Sequence, residues 1–305
     1  MKEKPTHRGT TLGVVVPNHN GGARLLASLK RLMAIPLVDK VALVDDRSTD
    51  GSGELEATDK LSVLKNHGRR GFAATANEGI RDLLQEPSPC YIAVANSDLE
   101  YDAAFAKALE HGVNHLASHS ETHLCGFNIA GGPRSTTADG PEGTARVAET
   151  VSGSLMLFRS SIFRRIGLMS EGYFMYGEEI DYFDRMKRNG LQMVRIASPV
   201  RHDGEGSQLP ELRTTWLAHR NALRRAIKTL DAHVVLQTLG SLIVMPWFRD
   251  RNAIPTNGSL RRTLRFGRLA GSVLGTASVG WNLLHVAATI RERLAEDRLI
   301  NPSVR

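Results

Sequence analysis

Short apolar runs alternate with amphipathic segments through the first two hundred residues of the chain. Each apolar run has the length and composition of a buried strand and ends at a proline or at polar residues. Strands that alternate with helices predict an α/β fold with a doubly wound, mostly parallel sheet. The predicted strands are 12–16, 41–44, 61–64 and 90–95, and the predicted helices are 23–33, 71–84 and 102–117.

The pattern is less regular between residues 131 and 196. Residues 131–146 are rich in Gly, Pro, Ser and Thr. This composition predicts a mobile loop, which we expect to lie over the ligand-binding site of the sheet. Strands are expected at 150–158 and 191–196, and a helix is expected to begin after Gly177 and to end at Gly190.

The last third combines positive charge with long apolar runs. Residues 201–305 hold 16 Lys and Arg against 8 Asp and Glu, whereas the whole chain holds 39 and 32. Residues 211–230 predict a basic helix, 232–248 are mostly apolar, and 269–290 contain no charged side chain. The last stretch is long enough to span a bilayer but only weakly hydrophobic, so it favours helices at a membrane interface. A membrane span and a helical cap on the preceding domain stay open as alternatives.

Composition narrows the class of protein. The 305 residues can form one large α/β domain with an appendage, and 41% hydrophobic residues support a core. The isolated cysteines, Cys90 and Cys125, argue against a disulfide framework or a zinc site and suit a reducing compartment. Residues 1–10 have no apolar signal-peptide core, so we expect a disordered lead and a cytosolic start. The basic residues alternate with apolar runs rather than stacking platforms, which disfavours nucleic-acid binding.

Polar residues follow two of the predicted strands. Asp45 and Asp46 come after the second strand, and Asn96-Ser97-Asp98 come after the fourth. Ligands of such sheets bind at the carboxyl ends of the strands. Asp45 can therefore accept hydrogen bonds from a nucleobase or ribose, while an Asx-turn or a helix N-cap, with a helix beginning at Gly51, is the structural alternative. Asp98 can bind Mg²⁺ or Mn²⁺, with His202 as a further ligand or as a structural histidine.

Three carboxylates lie within four positions at Glu178, Glu179 and Asp181. Adjacent carboxylates raise each other's pKa, which suits a group that takes a proton or holds a cation. A solvated first helical turn is the alternative. The chain has no Gly-x-x-x-x-Gly-Lys-Ser/Thr loop, no Gly-x-Gly-x-x-Gly after the first strand, and no Gly-x-Ser-x-Gly motif. These absences disfavour P-loop nucleotidases, dinucleotide oxidoreductases and serine hydrolases.

Five motifs in order resemble the inverting glycosyltransferases of family 2, which have the GT-A fold, near their rhamnosyltransferase-like branch. The resemblance covers about residues 10–225 and includes Arg220-Asn221. The motifs are Val15-Val16-Pro17 with Asn20, residues 44–52 around Asp45-Asp46, residues 71–80 from Gly71 through Asn77, Asn96-Ser97-Asp98, and Gly177-Glu178-Glu179-Ile180-Asp181.

The resemblance implies a nucleotide-diphosphate sugar donor and assigns roles to matching positions. Asp45 matches the nucleoside-binding acid, Asp98 the last acid of the metal motif, and Glu179 the catalytic base. His202 matches a histidine that closes the metal or diphosphate site. Asn96 replaces the first metal-motif Asp, and Glu179 stands where an Asp is usual, which leaves Glu178 or Asp181 as alternative bases. Further donor-binding positions are Pro17, Asn20, Asp46, Gly71, Asn77 and Asn96.

These expectations divide the chain into a lead at 1–10, a GT-A catalytic domain at 11–210 and a basic, apolar helical extension at 211–305. The expected acceptor is a glycan or lipid-linked hydroxyl at the cytoplasmic face of the cell membrane, in cell-surface polysaccharide synthesis. An anionic membrane surface is an expected partner, and a homo-oligomer stays open. The main alternative is an inactive sugar-nucleotide-binding partner subunit. A nucleotidyltransferase is disfavoured because Asn18–Gly22 contains no basic residue.

Overall fold

The computed structural model describes residues 11–85, 87–130, 140–202, 209–243 and 267–300. The predicted lead at 1–10 and residues 131–139 of the predicted loop lie outside this part of the chain. Contacts divide the chain into two compact units. The first contains residues 1–174 and 182–206, and the second contains residues 175–181 and 207–305.

One eight-stranded mixed sheet forms the centre of the first unit. The strands are β1 (Leu12–Asn18), β2 (Lys40–Asp45), β3 (Leu61–Lys65), β4 (Tyr91–Ala95), β5 (Thr122–Ala130), β6 (Ala145–Val147), β7 (Leu155–Arg159) and β8 (Gln192–Arg201). Their order in the sheet is β3-β2-β1-β4-β7-β5-β8-β6. The first four strands in this order run parallel, β7 runs antiparallel to both of its neighbours, β5 and β8 are parallel, and β6 is antiparallel to β8.

Helices lie on both faces of this sheet. Val14 and Val16 of β1 face a core that includes Leu25 and Leu29, whereas Val15 faces the other helix layer. Alternate residues of a strand point to opposite faces, which explains why β1 is apolar without interruption. The helices of the first unit are α1 (Gly22–Ala34), α2 (Phe72–Leu83), α3 (Ala103–Ser118), α4 (Ser161–Ile166) and the larger part of α5 (Glu178–Arg188).

The predicted α/β class with a central, mostly parallel sheet is confirmed, with corrections to individual elements. Pro17 does not end β1, which continues to Asn18. The Asn18 carbonyl accepts a hydrogen bond from Asp46 on the β2 side, so position 17 faces the β4 side. There β4 pairs only with residues 12–15, and the missing proline N–H therefore breaks no ladder bond.

Three further predictions differ from the structure. No helix begins at Gly51: Asp50 Oδ1 accepts the Ser52 amide in an Asx-turn, and Asp50 Oδ2 accepts the amide of Gly22 at the start of α1. The end of the predicted loop forms the edge strand β6. The strand expected at 150–158 is shorter and occupies the β7 range.

The described part of the second unit contains three helices with an unusual distribution of polarity. They are α6 (Glu211–Lys228), α7 (Ala232–Ile243) and α8 (Gly267–Ile300). The buried side of α8 carries Ser278, Asn282 and Thr289, each 0–1% exposed. Its outer side carries Leu283 and Leu284, which are 68% and 85% exposed. This polarity is opposite to that of a helix on the surface of a water-soluble protein.

Length and composition give α8 a further property. Within the described residues, one helix is long and apolar enough to cross a membrane, and it spans Leu269–Leu299. Only 22% of the most apolar 18-residue stretch of this helix is buried in the protein. By length and composition alone, this is weak evidence for a membrane segment.

Gly79 provides a test of the packing between α2 and the sheet. A Cβ atom at this position would lie 2.5 Å from Val15 Cγ1, so α2 can approach β1 only because residue 79 has no side chain. We expect Gly79→Ala to lower the free energy of unfolding by about 1–3 kcal/mol. The matched control is Gly240→Ala in α7, where nothing lies within 4 Å, and it should be stabilising by up to about 1 kcal/mol. Chemical denaturation would measure the free energy of unfolding of both variants. Equal changes would contradict the close contact between α2 and β1 at Gly79.

Candidate active site

The carboxyl ends of β1 and β2 are joined through the carboxylate of Asp45. Its Oδ1 accepts a hydrogen bond from Asn18 Nδ2 at 3.0 Å, and its Oδ2 accepts the Ser48 amide at 3.0 Å. The residue is only 6% exposed, and a Cβ at position 53 would lie 2.4 Å from its Cγ. Gly53 therefore permits the following turn to close over this carboxylate.

Asp46 fixes the segment that leads into α2. Its Oδ1 accepts hydrogen bonds from Asn66 Nδ2 at 3.0 Å and from the Arg70 amide at 2.7 Å, and its Oδ2 accepts the Gly71 amide at 2.9 Å. Buried carboxylates are tolerated when donors surround them in this way. The structure thus gives Asp46 a role inside the fold, and its contact with a donor stays a prediction.

Pro17 and Asn20 lie at the start of the same edge. Pro17 is half-buried and pairs with Val44 of β2. Asn20 has a φ of 55°, and its Oδ1 accepts the Thr49 amide at 2.8 Å. Its own amide donates to Ser48 Oγ at 2.8 Å. The residue therefore ties the loop after β1 to the loop after β2.

Gly71 and Asn77 fasten the chain segment 169–174 against α2. Gly71 has a φ of 84°, and a Cβ there would lie 2.0 Å from the Phe174 carbonyl oxygen, which accepts the Phe72 amide. Asn77 Nδ2 donates to the Met169 carbonyl at 2.8 Å, and Asn77 Oδ1 accepts the Met169 amide. Gly71 and Asn77, which the sequence predicts to bind the sugar-nucleotide donor, therefore both hold residues 169–174 against α2.

Asp98 and His202 are brought together by an isolated bridge between Leu99 and His202. His202 Nε2 lies 3.1 Å from Asp98 Oδ1, and the two side chains are 14% and 26% exposed. Asn96 precedes them at the end of β4, and its Oδ1 is buried without a hydrogen-bond partner among the described residues. Two oxygen donors and one imidazole nitrogen thus come from positions 96, 98 and 202. Within the described ranges, no three His, Cys, Asp or Glu side chains form a group that could hold a metal ion.

The three clustered acids lie in the first turn of α5 and have three different environments. Glu178 is 4% exposed, and its Oε2 has no hydrogen-bond partner among the described residues. Burial, together with the neighbouring Glu179, raises the pKa of Glu178 well above its ordinary value. Glu179 is half-buried, and its Oε2 accepts the Gly177 amide at 3.1 Å. Asp181 is 1% exposed, and Lys228 Nζ lies 2.8 Å from its Oδ2.

The backbone that leads into this turn is strained. Phe174 and Tyr176 have φ values of 62° and 71°, and Gly177 has a φ of 94°. Aromatic residues rarely adopt positive φ, and strain of this kind persists only where surrounding contacts hold it. Arg185, later in α5, donates to the carbonyl oxygens of Ile166 and Leu168 at 3.0 and 2.7 Å, which ties the end of α4.

Sequence reasoning missed the residue that pairs with Asp181. Lys228 lies 47 positions away, near the end of a helix predicted only as basic, and nothing in its local sequence distinguishes it from an exposed lysine. Asn221 belongs to the Arg220-Asn221 motif, but the sequence does not predict its hydrogen bonds to the carbonyl oxygens of Met175 and Tyr176.

Comparison with known proteins decides the family. The model of the family described as "Glycosyl transferase family 2" matches residues 13–167, just over half of the chain. The chain belongs to glycosyl transferase family 2. The matched range contains Asp45, Asp46 and Asp98 and ends before the acids of α5.

One relative and two solved structures illustrate this similarity. The low-salt glycan biosynthesis hexosyltransferase Agl10 of Haloferax volcanii is 23% identical over 199 residues, and the match spans 60% of this chain and 63% of that protein. TarS residues 1–349 of S. aureus in complex with UDP-GlcNAc has a TM-score of 0.54 at 13% identity, covering 95% of this chain and 91% of TarS. Mannosyltransferase PcManGT from Pyrobaculum calidifontis, in complex with GDP-Man and Mn²⁺, has a TM-score of 0.51 at 16% identity, covering 96% and 87%. At these identities the structural likeness shows the fold alone.

The buried carboxyl of Glu178 predicts a pH-dependent effect on stability. Because its pKa is raised in the folded protein, the folded state keeps a proton that the unfolded chain loses above about pH 4.5, and stability falls as pH rises through this window. Glu178→Gln removes this cost. We expect the variant to gain stability relative to the unsubstituted protein as pH rises from 4 to 8, measured by denaturation at each pH.

The control for this experiment is Glu56→Gln, at an exposed position. Surface substitutions usually change stability by less than about 0.5 kcal/mol. A difference for Glu178→Gln that does not grow with pH would contradict the raised pKa.

Proposed function

We propose that the protein is an inverting glycosyltransferase that moves a hexosyl or deoxyhexosyl group from a nucleotide-diphosphate donor to an acceptor hydroxyl. The observation that carries the proposal is the combination of family membership with an ordered polar edge at β1, β2 and β4. The resemblance to the rhamnosyltransferase-like branch belongs to the same proposal. The nucleotide sugars bound by TarS and PcManGT agree with a donor of this class.

The donor is proposed to bind at the carboxyl edge of the sheet. Asp45 is the proposed nucleoside-binding acid, and its hydrogen bonds to Asn18 and Ser48 hold it as an oriented acceptor. Asp46, Gly71 and Asn77 act by fixing the loops around this edge. Pro17 and Asn20 shape the loop that follows β1.

A divalent metal fits the residues at 96, 98 and 202. The oxygen of the Asn96 amide and Nε2 of His202 are buried and accept no hydrogen bond from the described residues, and the Asp98 carboxylate lies beside His202. Oxygen and imidazole donors of this kind suit Mn²⁺, and the oxygens suit Mg²⁺. When bound, such a metal neutralises the charge that develops on the leaving diphosphate.

Glu179 is the proposed general base. Burial and the neighbouring Glu179 raise the pKa of Glu178 well above its ordinary value, which disfavours its carboxylate form, whereas Glu179 is half-buried and its Oε2 accepts the Gly177 amide at 3.1 Å. Asp181 is committed to Lys228. Glu179 takes the proton of the acceptor hydroxyl while the oxygen of that hydroxyl attacks the anomeric carbon from the face opposite the diphosphate. The bond between the anomeric carbon and the diphosphate breaks in the same step, and this single displacement inverts the anomeric centre.

The acceptor is proposed to be a glycan or lipid-linked hydroxyl at the cytoplasmic face of the cell membrane, as in cell-surface polysaccharide synthesis. The outward apolar side of α8 and the basic charge of residues 201–305 support a position on an anionic membrane. Membrane association is part of this proposal.

A thermal-shift screen of nucleotide-diphosphate sugars with and without Mn²⁺ tests donor binding first. A ligand that binds only the folded state raises its unfolding temperature, so one donor should give a selective, metal-enhanced shift. Asp98→Asn should lose the metal enhancement. No shift with any donor would contradict the proposal, and a shift without transfer to any acceptor or to water would favour the inactive sugar-nucleotide-binding subunit.

The proposed base predicts a loss of turnover without a loss of binding. Glu179→Gln removes the proton acceptor, so we expect kcat to fall by about 10²–10⁴-fold while the donor thermal shift stays unchanged. Glu110→Gln, at an exposed position of α3, is the matched control and should retain full activity. Normal turnover in the Glu179→Gln variant would show that another residue is the general base.

The outer side of α8 predicts binding to anionic vesicles. We expect the protein to sediment with vesicles that contain phosphatidylglycerol, and Leu283→Ser with Leu284→Ser to weaken this binding at least tenfold without lowering the unfolding temperature, because both side chains are exposed. Val147→Ser is the control, since Val147 is 70% exposed but lies on the sheet edge. Protein that stays in solution with every vesicle composition would contradict the membrane proposal.

A further inference from the structure

The segment that carries the three clustered acids belongs to the helical unit. Residues 175–181 group by contacts with residues 207–305 rather than with the sheet. Two buried side chains of α6, Asn221 and Lys228, make polar contacts with this segment. They are seven positions apart, which is two helical turns, and so lie on the same face of α6.

Asn221 holds the strained end of the segment. Its Nδ2 donates to the carbonyl oxygen of Met175 at 2.8 Å and to that of Tyr176 at 2.6 Å, and the residue is 3% exposed. Its Oδ1 accepts a hydrogen bond from Arg220 Nε at 2.8 Å, which fixes the orientation of the amide. The positive φ of Tyr176 is therefore maintained by a contact with the helical unit.

Lys228 holds the other end of the segment. Its Nζ lies 2.8 Å from Asp181 Oδ2, 3.1 Å from Glu292 Oε1 and 2.6 Å from Glu296 Oε1, and the side chain is 1% exposed. An ammonium group has three N–H donors, so each of these carboxylates can take one. This geometry defines the direction of Asp181 and, with it, the first turn of α5.

The lysine is itself fixed from α8. Glu292 and Glu296 are four positions apart and reach Nζ from one face of that helix. Glu292 also pairs with Arg224, which donates to Thr289 Oγ1 at 2.9 Å. Buried ion pairs stabilise folds only weakly compared with apolar packing, so a network of this size is better explained by the specific arrangement that it imposes.

We propose that Lys228 and Asn221 are positioning residues that fix the acid cluster of α5 in the orientation needed for proton transfer, with Glu292 and Glu296 of α8 completing the arrangement. The inference rests on the proposed function and adds the helices α6 and α8 to the machinery that holds the base. Neither residue touches the reacting atoms. Their effect on the reaction is exerted through Glu179 and its turn.

Charge around the cluster gives the proposal a distinctive pH signature. Among the described residues, Lys228 pairs with Asp181 and with Glu292 and Glu296 of α8, Arg224 of α6 pairs with Glu292, and Glu178 and Glu179 share the first turn of α5 with Asp181. Removing the Lys228 ammonium group disfavours the ionised form of the base. The acidic limb of the profile of kcat/KM against pH then moves to higher pH. Removing the Asp181 charge while Lys228 remains moves this limb to lower pH.

The experiment compares Lys228→Met, Asp181→Asn and the double variant in the full-length protein. Misplacing a catalytic group by about 1 Å can cost about 100-fold in rate, so we expect Lys228→Met to lower kcat by about this factor while the donor thermal shift is retained. The double variant removes the Asp181 charge left unpaired by Lys228→Met, whereas Glu292 keeps Arg224 and Glu296 still loses its contact with Lys228, so it should recover part of the lost unfolding temperature but not kcat. Arg225→Met, at an exposed position of α6, is the control and should change neither.

A second measurement does not depend on activity, and one of its two variants leaves Lys228 in place. Hydrogen exchange of the peptide that covers residues 174–182 should accelerate in Lys228→Met and in Asn221→Ala, because the Asp181 amide bonds to the Gly177 carbonyl only while the turn is held. If the unsubstituted protein neither binds nor transfers any sugar, the proposed function fails, and the exchange data still decide whether the two residues fix the segment.

Three results would overturn the positioning role. The first is normal kcat in a folded Lys228→Met variant. The second is recovery of kcat together with stability in the double variant, which indicates a structural role alone. The third is unchanged exchange of residues 174–182 in both Lys228→Met and Asn221→Ala.

Discussion

Two adjacent buried carboxylates at the end of β2 determine how the carboxyl edge of the sheet is built. Asp45 and Asp46 together accept five hydrogen bonds, from Asn18, Ser48 and three donors in residues 66–71. A buried carboxylate without donors is strongly unfavourable, so the last residue of β1 and the loops after β2 and β3 must adopt conformations that supply them. The edge is therefore organised before any ligand binds, which is the condition for binding a charged donor without a large reorganisation cost.

Much of the fold was predictable because its central strands are apolar on both faces. The first four predicted strands and the first three predicted helices lie where expected, within one or two residues at most ends. β5 was missed because its apolar run is interrupted by Gly126 and by buried Asn128. Gly126 is required there, since a Cβ would lie 2.2 Å from Val151 Cβ. α4 has only six residues, too few for a periodic signal, and the antiparallel direction of β7 leaves no trace in a single strand.

The candidate site was predictable in its residue types but not in its division of roles. Asp98 and His202 were expected to meet, and they lie together. Glu178, Glu179 and Asp181 look equivalent in sequence, but their environments differ. Glu178 is buried and its Oε2 accepts no hydrogen bond from the described residues, Glu179 accepts a backbone amide, and Asp181 pairs with Lys228. Such differences depend on contacts with residues far along the chain, which local pattern does not encode. The reversed polarity of α8 likewise became visible only when its buried side was known.

The central claim is that the carboxyl edge binds the diphosphate of a sugar nucleotide through a metal held at residues 96, 98 and 202. Anomalous diffraction from crystals grown with Mn²⁺ and a nucleoside diphosphate would test it most directly. The account predicts one Mn²⁺ peak between the Asp98 carboxylate and the diphosphate, with His202 in the coordination sphere. It also predicts that the nucleoside of the ligand lies next to Asp45. A nucleotide bound elsewhere, or a metal that contacts none of these residues, would contradict it.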